Sequence, residues 1–294
     1  MSDQAEPVTA AQQIAHLVRR LRIIPTVPVL ILLALCLLGV FAPLIAPYSA
    51  TEGSLRDKLM PPAWVAGGSW THPLGTDLLG RDILSRLIYG ARTSFTVAAL
   101  AVFFAGTVGT ILGLISGYFG GLTDILLMRL TDIALSVPLI LMAIILVAAL
   151  GTSFTNVILV IVLLLWPRYA RQVRGETLSI KERDFVALAR IANCSHIRII
   201  WRHIFPNVIP TLLVLVTLQA GYVVLLESTL SFLGVGIPPS TPAWGLMIAE
   251  GRTIIDSAWW VAMWPGLSIL FMVLSGNLLG DWLRDRLDPT LKQV

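Results

Sequence analysis

The chain has 294 residues, of which 56% are hydrophobic and only 13% charged, with a formal net charge of +4 and a mean hydropathy of +0.83. Soluble domains carry roughly 25% charged residues, so this composition excludes an ordinary soluble enzyme and points to a polytopic, all-α membrane protein. The positive excess is explained by the sidedness of basic residues about a bilayer, and nucleic acid is not expected as a partner.

Before Ile23 lies a mostly polar stretch with Arg19, Arg20 and Arg22. The apolar run that follows is far longer than the roughly 7–15 residues of a signal peptide, so an uncleaved first span is expected. The predicted division is a cytoplasmic tail at 1–26, a first transmembrane helix at 27–47, an extracytoplasmic segment at 48–93, a core at 94–284 and a cytoplasmic tail at 285–294. Within the core, spans are predicted near 94–118, 124–150, 154–170, 205–229 and 261–281, since about 20 apolar residues cross a hydrocarbon layer. A cytoplasmic loop at 171–204 and an extracytoplasmic loop at 230–260 complete it. Gly151, Thr152 and Ser153 punctuate an otherwise overlong apolar run and predict a tight turn.

Six spans place both termini on one side, and the charges agree. Fourteen basic residues (three in the first tail, eight in the loop, three in the last tail) fall on the predicted cytoplasmic side and six on the other, with Arg129 inside a span. Basic residues are retained inside, so both termini are expected to be cytoplasmic. Gly109, Gly113, Gly117 and Gly121 recur every four residues; on a helix this makes one face that a neighbouring backbone can approach closely, a predicted packing seam. Cys36 and Cys194 fall in the first span and the basic loop, so no disulfide is expected.

The basic loop is the most informative segment. Eight of the 21 lysines and arginines lie between Arg168 and Arg202. Inside it, Phe185, Leu188, Ala189 and Ala192 have helical spacing. Asp184 precedes that run as an N-cap or first-turn acid. Asn193 sits at its end and tolerates a left-handed exit, and Pro206 suits the first turn of the next span. On the residues alone, this amphipathic helix either docks a soluble partner or lies on lipid, aided by Arg183, Arg190 and Arg198.

No phosphate-binding loop, zinc-protease helix, nucleophile elbow or metal spacing is present, so no catalytic residue, metal site or cofactor is expected in this chain. The ionisable residues within spans, Arg129, Asp132 and Glu227, are candidates for a substrate path. Arg129 and Asp132 are three apart and are expected to pair on one helical face. Glu227 is expected near the wet outer end of its span.

Asp184 to Arg190 (DFVALAR) followed by Arg198 to Asn207 (RIIWRHIFPN), together with His72 to Arg92 (HPLGTDLLGRDILSRLIYGAR), Glu227 to Gly236 (ESTLSFLGVG) and Pro242 to Gly245 (PAWG), resemble the permease subunits of binding-protein-dependent ABC importers. The similar branch is the peptide and nickel one, of the second dipeptide/oligopeptide permease type. The resemblance runs from about the first span to Asp285.

It implies a type I importer permease fold and an ATPase-coupling helix carrying Asp184, Phe185, Val186, Leu188, Ala189, Arg190, Asn193 and Ser195. It also implies a loop-end motif of Arg202, His203, Pro206 and Asn207, and binding-protein docking through Gly75, Thr76, Asp77, Gly80, Arg81, Asp82 and Trp244. The implied partners are a sister permease, two ATPase subunits that hold ATP and magnesium, an extracytoplasmic solute-binding protein and the lipid bilayer. The solute implied is a short peptide, with nickel, glutathione, an opine or a sugar as the alternatives. A stand-alone channel or secondary carrier is the competing class. The family usually has Gly where this chain has Asn193, and Leu where it has Ala192 and Phe205; Asn supplies the same backbone geometry, so docking is expected to survive.

Overall fold

The computed structural model describes residues 25–287. The arginines at 19, 20 and 22, Lys292 and most of both predicted tails lie outside the described residues. The regular structure among them is helical, with one isolated bridge between Thr76 and Asp82.

The first helix, α1 (Thr26–Val40), gives way at Phe41 to the single turn α2 (Ala42–Ile45). Fifteen residues make about 22 Å of helix, less than the predicted 27–47 span. An irregular polar segment then leads to α3 (Ile83–Phe119). This helix begins eleven residues before the predicted span. Asp82 caps it, accepting from the Ser85 amide at 2.7 Å. A hydropathy reading stops short because Arg86 and Arg92 lie in the first turns; Arg86 is in fact buried among carboxylates. Gly120, at φ 67°, ends the helix.

The predicted single span at 124–150 is instead two helices. Helix α4 (Gly121–Ser136) and α5 (Leu139–Leu150) meet at an 89° bend. Val137 there is extended (ψ 134°), the conformation favoured before a proline, and Pro138 offers no amide to continue the helix. The turn after α5 is stitched by Asn156, whose Nδ2 donates to the carbonyls of Leu150 (2.7 Å) and Gly151 (3.0 Å). Ser153 caps α6 (Phe154–Ile180), which runs ten residues past its predicted end.

After the short α7 (Asp184–Ile191) comes a continuous helix α8 (His196–Phe232), containing a wide π-type segment at Ile200–Ile204 just before Pro206. A wider turn accommodates a ring with no amide hydrogen. Helices α9 (Trp244–Arg252) and α10 (Trp260–Leu287) follow. Among the described residues, α3, α6, α8 and α10 are each long and apolar enough to cross a membrane, with α4–α5 a fifth if counted as one bent span.

The most extensive helix pair is α3 with α6. A Cβ at Gly113 would stand 2.7 Å from the Ala170 carbonyl oxygen, and one at Gly117 2.7 Å from Thr177 Cβ. Gly109 likewise abuts Tyr169. The predicted seam is therefore real for three glycines. Gly121 leaves it, because its φ of 55° starts a new helix and it touches nothing. Buried apolar side chains form two clusters, a large one through the spans and a smaller one at the end of α3 and α6, where α7 packs.

Candidate functional site

Helix α7 has Arg183 at its N-cap, Asp184 in its first turn and Arg190 in its last; the acid at the start and the base at the end complement the helix dipole. Its exit is a Schellman turn. The Cys194 amide donates to the Ala189 carbonyl (3.1 Å) and the Asn193 amide to the Arg190 carbonyl (3.0 Å), with Asn193 at φ 56°. Ser195 then caps α8, its Oγ accepting from the Arg198 amide at 3.4 Å.

The predicted apolar stripe of Phe185, Leu188, Ala189 and Ala192 is divided between the core and the surface. Val186 and Ala189 are buried against the cluster of Leu114, Tyr118, Val173 and Ile204. Phe185, Leu188 and Ala192 face outward, joined by Ile191 (82% exposed) and Ile197. Periodicity finds an apolar stripe but does not say what covers it. Of the loop-end residues, Arg202, Pro206 and Asn207 are exposed and His203 half-buried. Asn207 Nδ2 donates to the His203 carbonyl at 2.7 Å, bracing the helix around Pro206.

At the other end of α3, residues expected to receive a docking protein are interior. Gly75, Thr76, Asp77, Gly80, Arg81, Asp82 and Trp244 are all buried. Asp77 accepts from Arg81 Nε at 2.6 Å and also from Arg86. Glu250 of α9 receives Arg86 at 2.6 Å and Arg81 at 3.2 Å. Trp244 Nε1 donates to the Leu87 carbonyl (3.0 Å), and Trp260 Nε1 to that of Thr76 (3.1 Å). Asp82 holds His72 Nδ1 at 3.0 Å. Enclosed in this way, these side chains fasten the segment before α3 to α9 and α10 rather than offer a surface. Arg86 and Glu250 were missed by the sequence reading; an acid inside the apolar α9 stretch was the available signal.

Residues 109–293 match the family described as binding-protein-dependent transport system inner membrane component. The chain belongs to that family. A dipeptide transport system permease protein of Haemophilus influenzae is 42% identical over 262 residues, 89% of each chain. A di/tripeptide transport system permease protein of Pseudomonas aeruginosa is 42% identical over 90% of this chain and 88% of its own. A dipeptide transport system permease protein of Escherichia coli is 44% identical over 290 residues, 98% of this chain and 95% of its own. This is an inner-membrane permease.

The three charged residues assigned to a substrate path do not converge in the permease. Asp132 pairs with Arg171 of α6 at 2.5 Å, not with Arg129, and both partners are more than half exposed. Arg129 is exposed and enters none of the ion pairs among the described residues. Asp124 pairs with Arg174 at 2.6 Å, so α4 lies beside the basic end of α6. The expected Arg129–Asp132 pair failed because spacing shows who shares a face, while a neighbouring helix supplied the nearer cation. Glu227, expected to be wet, is fully buried, its Oε1 accepting from Ser231 Oγ at 2.7 Å. Ser231 Oγ in turn accepts from the Ile237 amide (3.2 Å), so Glu227 anchors the loop after α8.

Proposed function

We propose that this permease is one of two membrane subunits of an ATP-driven, binding-protein-dependent importer of di- and oligopeptides. The peptide solute rests on the names of the three relatives, all transport permeases for dipeptides or di/tripeptides. The chain crosses the membrane six times with both termini cytoplasmic, the alternating charge of its loops supporting that arrangement. It carries no catalytic residue; ATP and magnesium are held by two separate ATPase subunits.

The observation that carries the ATPase-docking part is the two-sided α7. Val186 and Ala189 root it in the ends of α3, α6 and α8, while Leu188 (64% exposed) and Ile191 project apolar surface outward. Exposed apolar surface of this kind marks an interaction site, for a protein or for lipid, and we assign it to the ATPase. A partner closing on ATP and pressing on α7 would move the spans as bodies, as alternating access requires. On the outside, the ion network braces residues 48–93 against α9, and the exposed Trp64 and Trp70 of that segment meet the solute-binding protein.

The test is purification of the tagged permease in mild detergent from its native host, beside a Leu188→Asp/Ile191→Asp variant. The wild type brings down a second permease and ATPase subunits and supports uptake of a labelled dipeptide. The variant, folded and in the membrane, loses the ATPases and uptake. Retention of both by the variant would remove the docking role from α7.

A further inference from the structure

Tyr118 stands where three helix ends meet. It is in the last turn of α3 and is 8% exposed. Its hydroxyl lies 2.8 Å from His196 Nδ1, the first residue of α8, and the two rings pack edge to face with centroids 5.6 Å apart. Phe119 adds a second ring against the same imidazole at 5.9 Å. The guanidinium of Arg190, in the last turn of α7, is 5.8 Å from the Tyr118 ring centroid, within cation–π range. One side chain therefore touches the end of a long span, the root of another and the short docking helix.

The rest of the attachment of α7 is slight. Only Val186 and Ala189 of its eight residues are buried, and its covalent link to α8 is the turn at 192–195. Two small apolar side chains resist sliding weakly, because burial has no direction. A hydrogen bond and a cation–π contact do have direction. Lys181 Nζ donates to the Gly117 carbonyl at 3.0 Å, tying the end of α6 to the same turn of α3, but that contact does not reach α7.

We infer that Tyr118 is the positioning residue that passes displacement of α7 to the membrane spans, holding α3 through its backbone, α7 through Arg190 and α8 through His196. This rests on the importer reading above. It assigns a mechanical role to a tyrosine and a histidine that lie outside the docking helix. The prediction is a loss of coupling, not of binding: solute affinity and subunit assembly stay as they are, while transport per ATP falls.

The experiment uses the complete complex in proteoliposomes, with a labelled dipeptide and its binding protein, and measures uptake per ATP hydrolysed. Tyr118→Phe removes the hydroxyl and keeps the ring. His196→Ala removes the hydrogen-bonding partner of the hydroxyl, and His196→Asn restores an amide, able to donate or accept, where Nδ1 stood. For Tyr118→Phe and His196→Ala the ratio is expected to fall roughly three- to tenfold, the range of one lost hydrogen bond. The peptide KM stays unchanged, and His196→Asn recovers most of the loss. Wild-type ratios in both Tyr118→Phe and His196→Ala would overturn the inference, as would an Asn variant no better than Ala. A wild-type complex that hydrolyses ATP but moves no peptide would overturn the importer reading itself, and with it the role of Tyr118.

Discussion

Asp77 accepts from two arginine side chains and from the amides of Leu79 (2.8 Å) and Arg81 (3.0 Å), with its own side chain almost wholly enclosed. Taking that carboxylate away leaves Arg86 buried with Glu250 as its one remaining ion-pair partner. Breaking a buried pair by deleting one member costs about 3–5 kcal/mol. Asp77→Ala should therefore lower the thermal unfolding temperature of the detergent-solubilised permease sharply, and Glu250→Gln less, since Glu250 is 23% exposed. Equal melting of Asp77→Ala and wild type would show that the network is dispensable. Glycine gives a second test at this scale. Gly113→Val forces α3 from α6 and should destabilise by about 1–3 kcal/mol. Gly175, also helical but with nothing within 4 Å of a Cβ, should accept Ala with no loss, because glycine itself costs a helix about 0.5–1 kcal/mol.

At the scale of elements, the exit of α7 depends on one backbone conformation. Asn193 at φ 56° occupies a region that costs most L-residues about 1–2 kcal/mol. Asn193→Gly should relax that turn and keep uptake, whereas Asn193→Val should loosen α7 and reduce uptake, measured in cells at matched expression. Indifference to valine would mean that the turn does not set the direction of the helix. The bend between α4 and α5 is a second decision of this kind. Pro138 stops the helix, and α4 then lies beside α6, where Asp124 pairs with Arg174 and Asp132 with Arg171. Proline was visible in the sequence as a possible break; the size of the bend was not, since a proline fixes only its own φ and its neighbour's range.

At the scale of the whole molecule, membrane residence, helical class, the basic loop and the family were legible from the sequence. Each depends on composition or on short contiguous motifs, and a bilayer imposes its demands on every residue of a span alike. The extent of α3 was not legible, because the charge of Arg86 is neutralised by Glu250, 164 positions away. Nor was the inward side of α7, where Val186 rather than Phe185 or Leu188 meets the core. The motif Gly75 to Asp82 could be recognised but not located: only the fold shows its side chains enclosed. Tyr118 and His196, 78 residues apart, carry no local signal at all. Read alone, the amino-acid sequence establishes a helical membrane protein and its family, because the first follows from local polarity and the second from short contiguous motifs. The tertiary structure alone decided which charges pair, which apolar face stays uncovered and which ring joins three helices, because each is a contact between distant residues that no periodicity encodes.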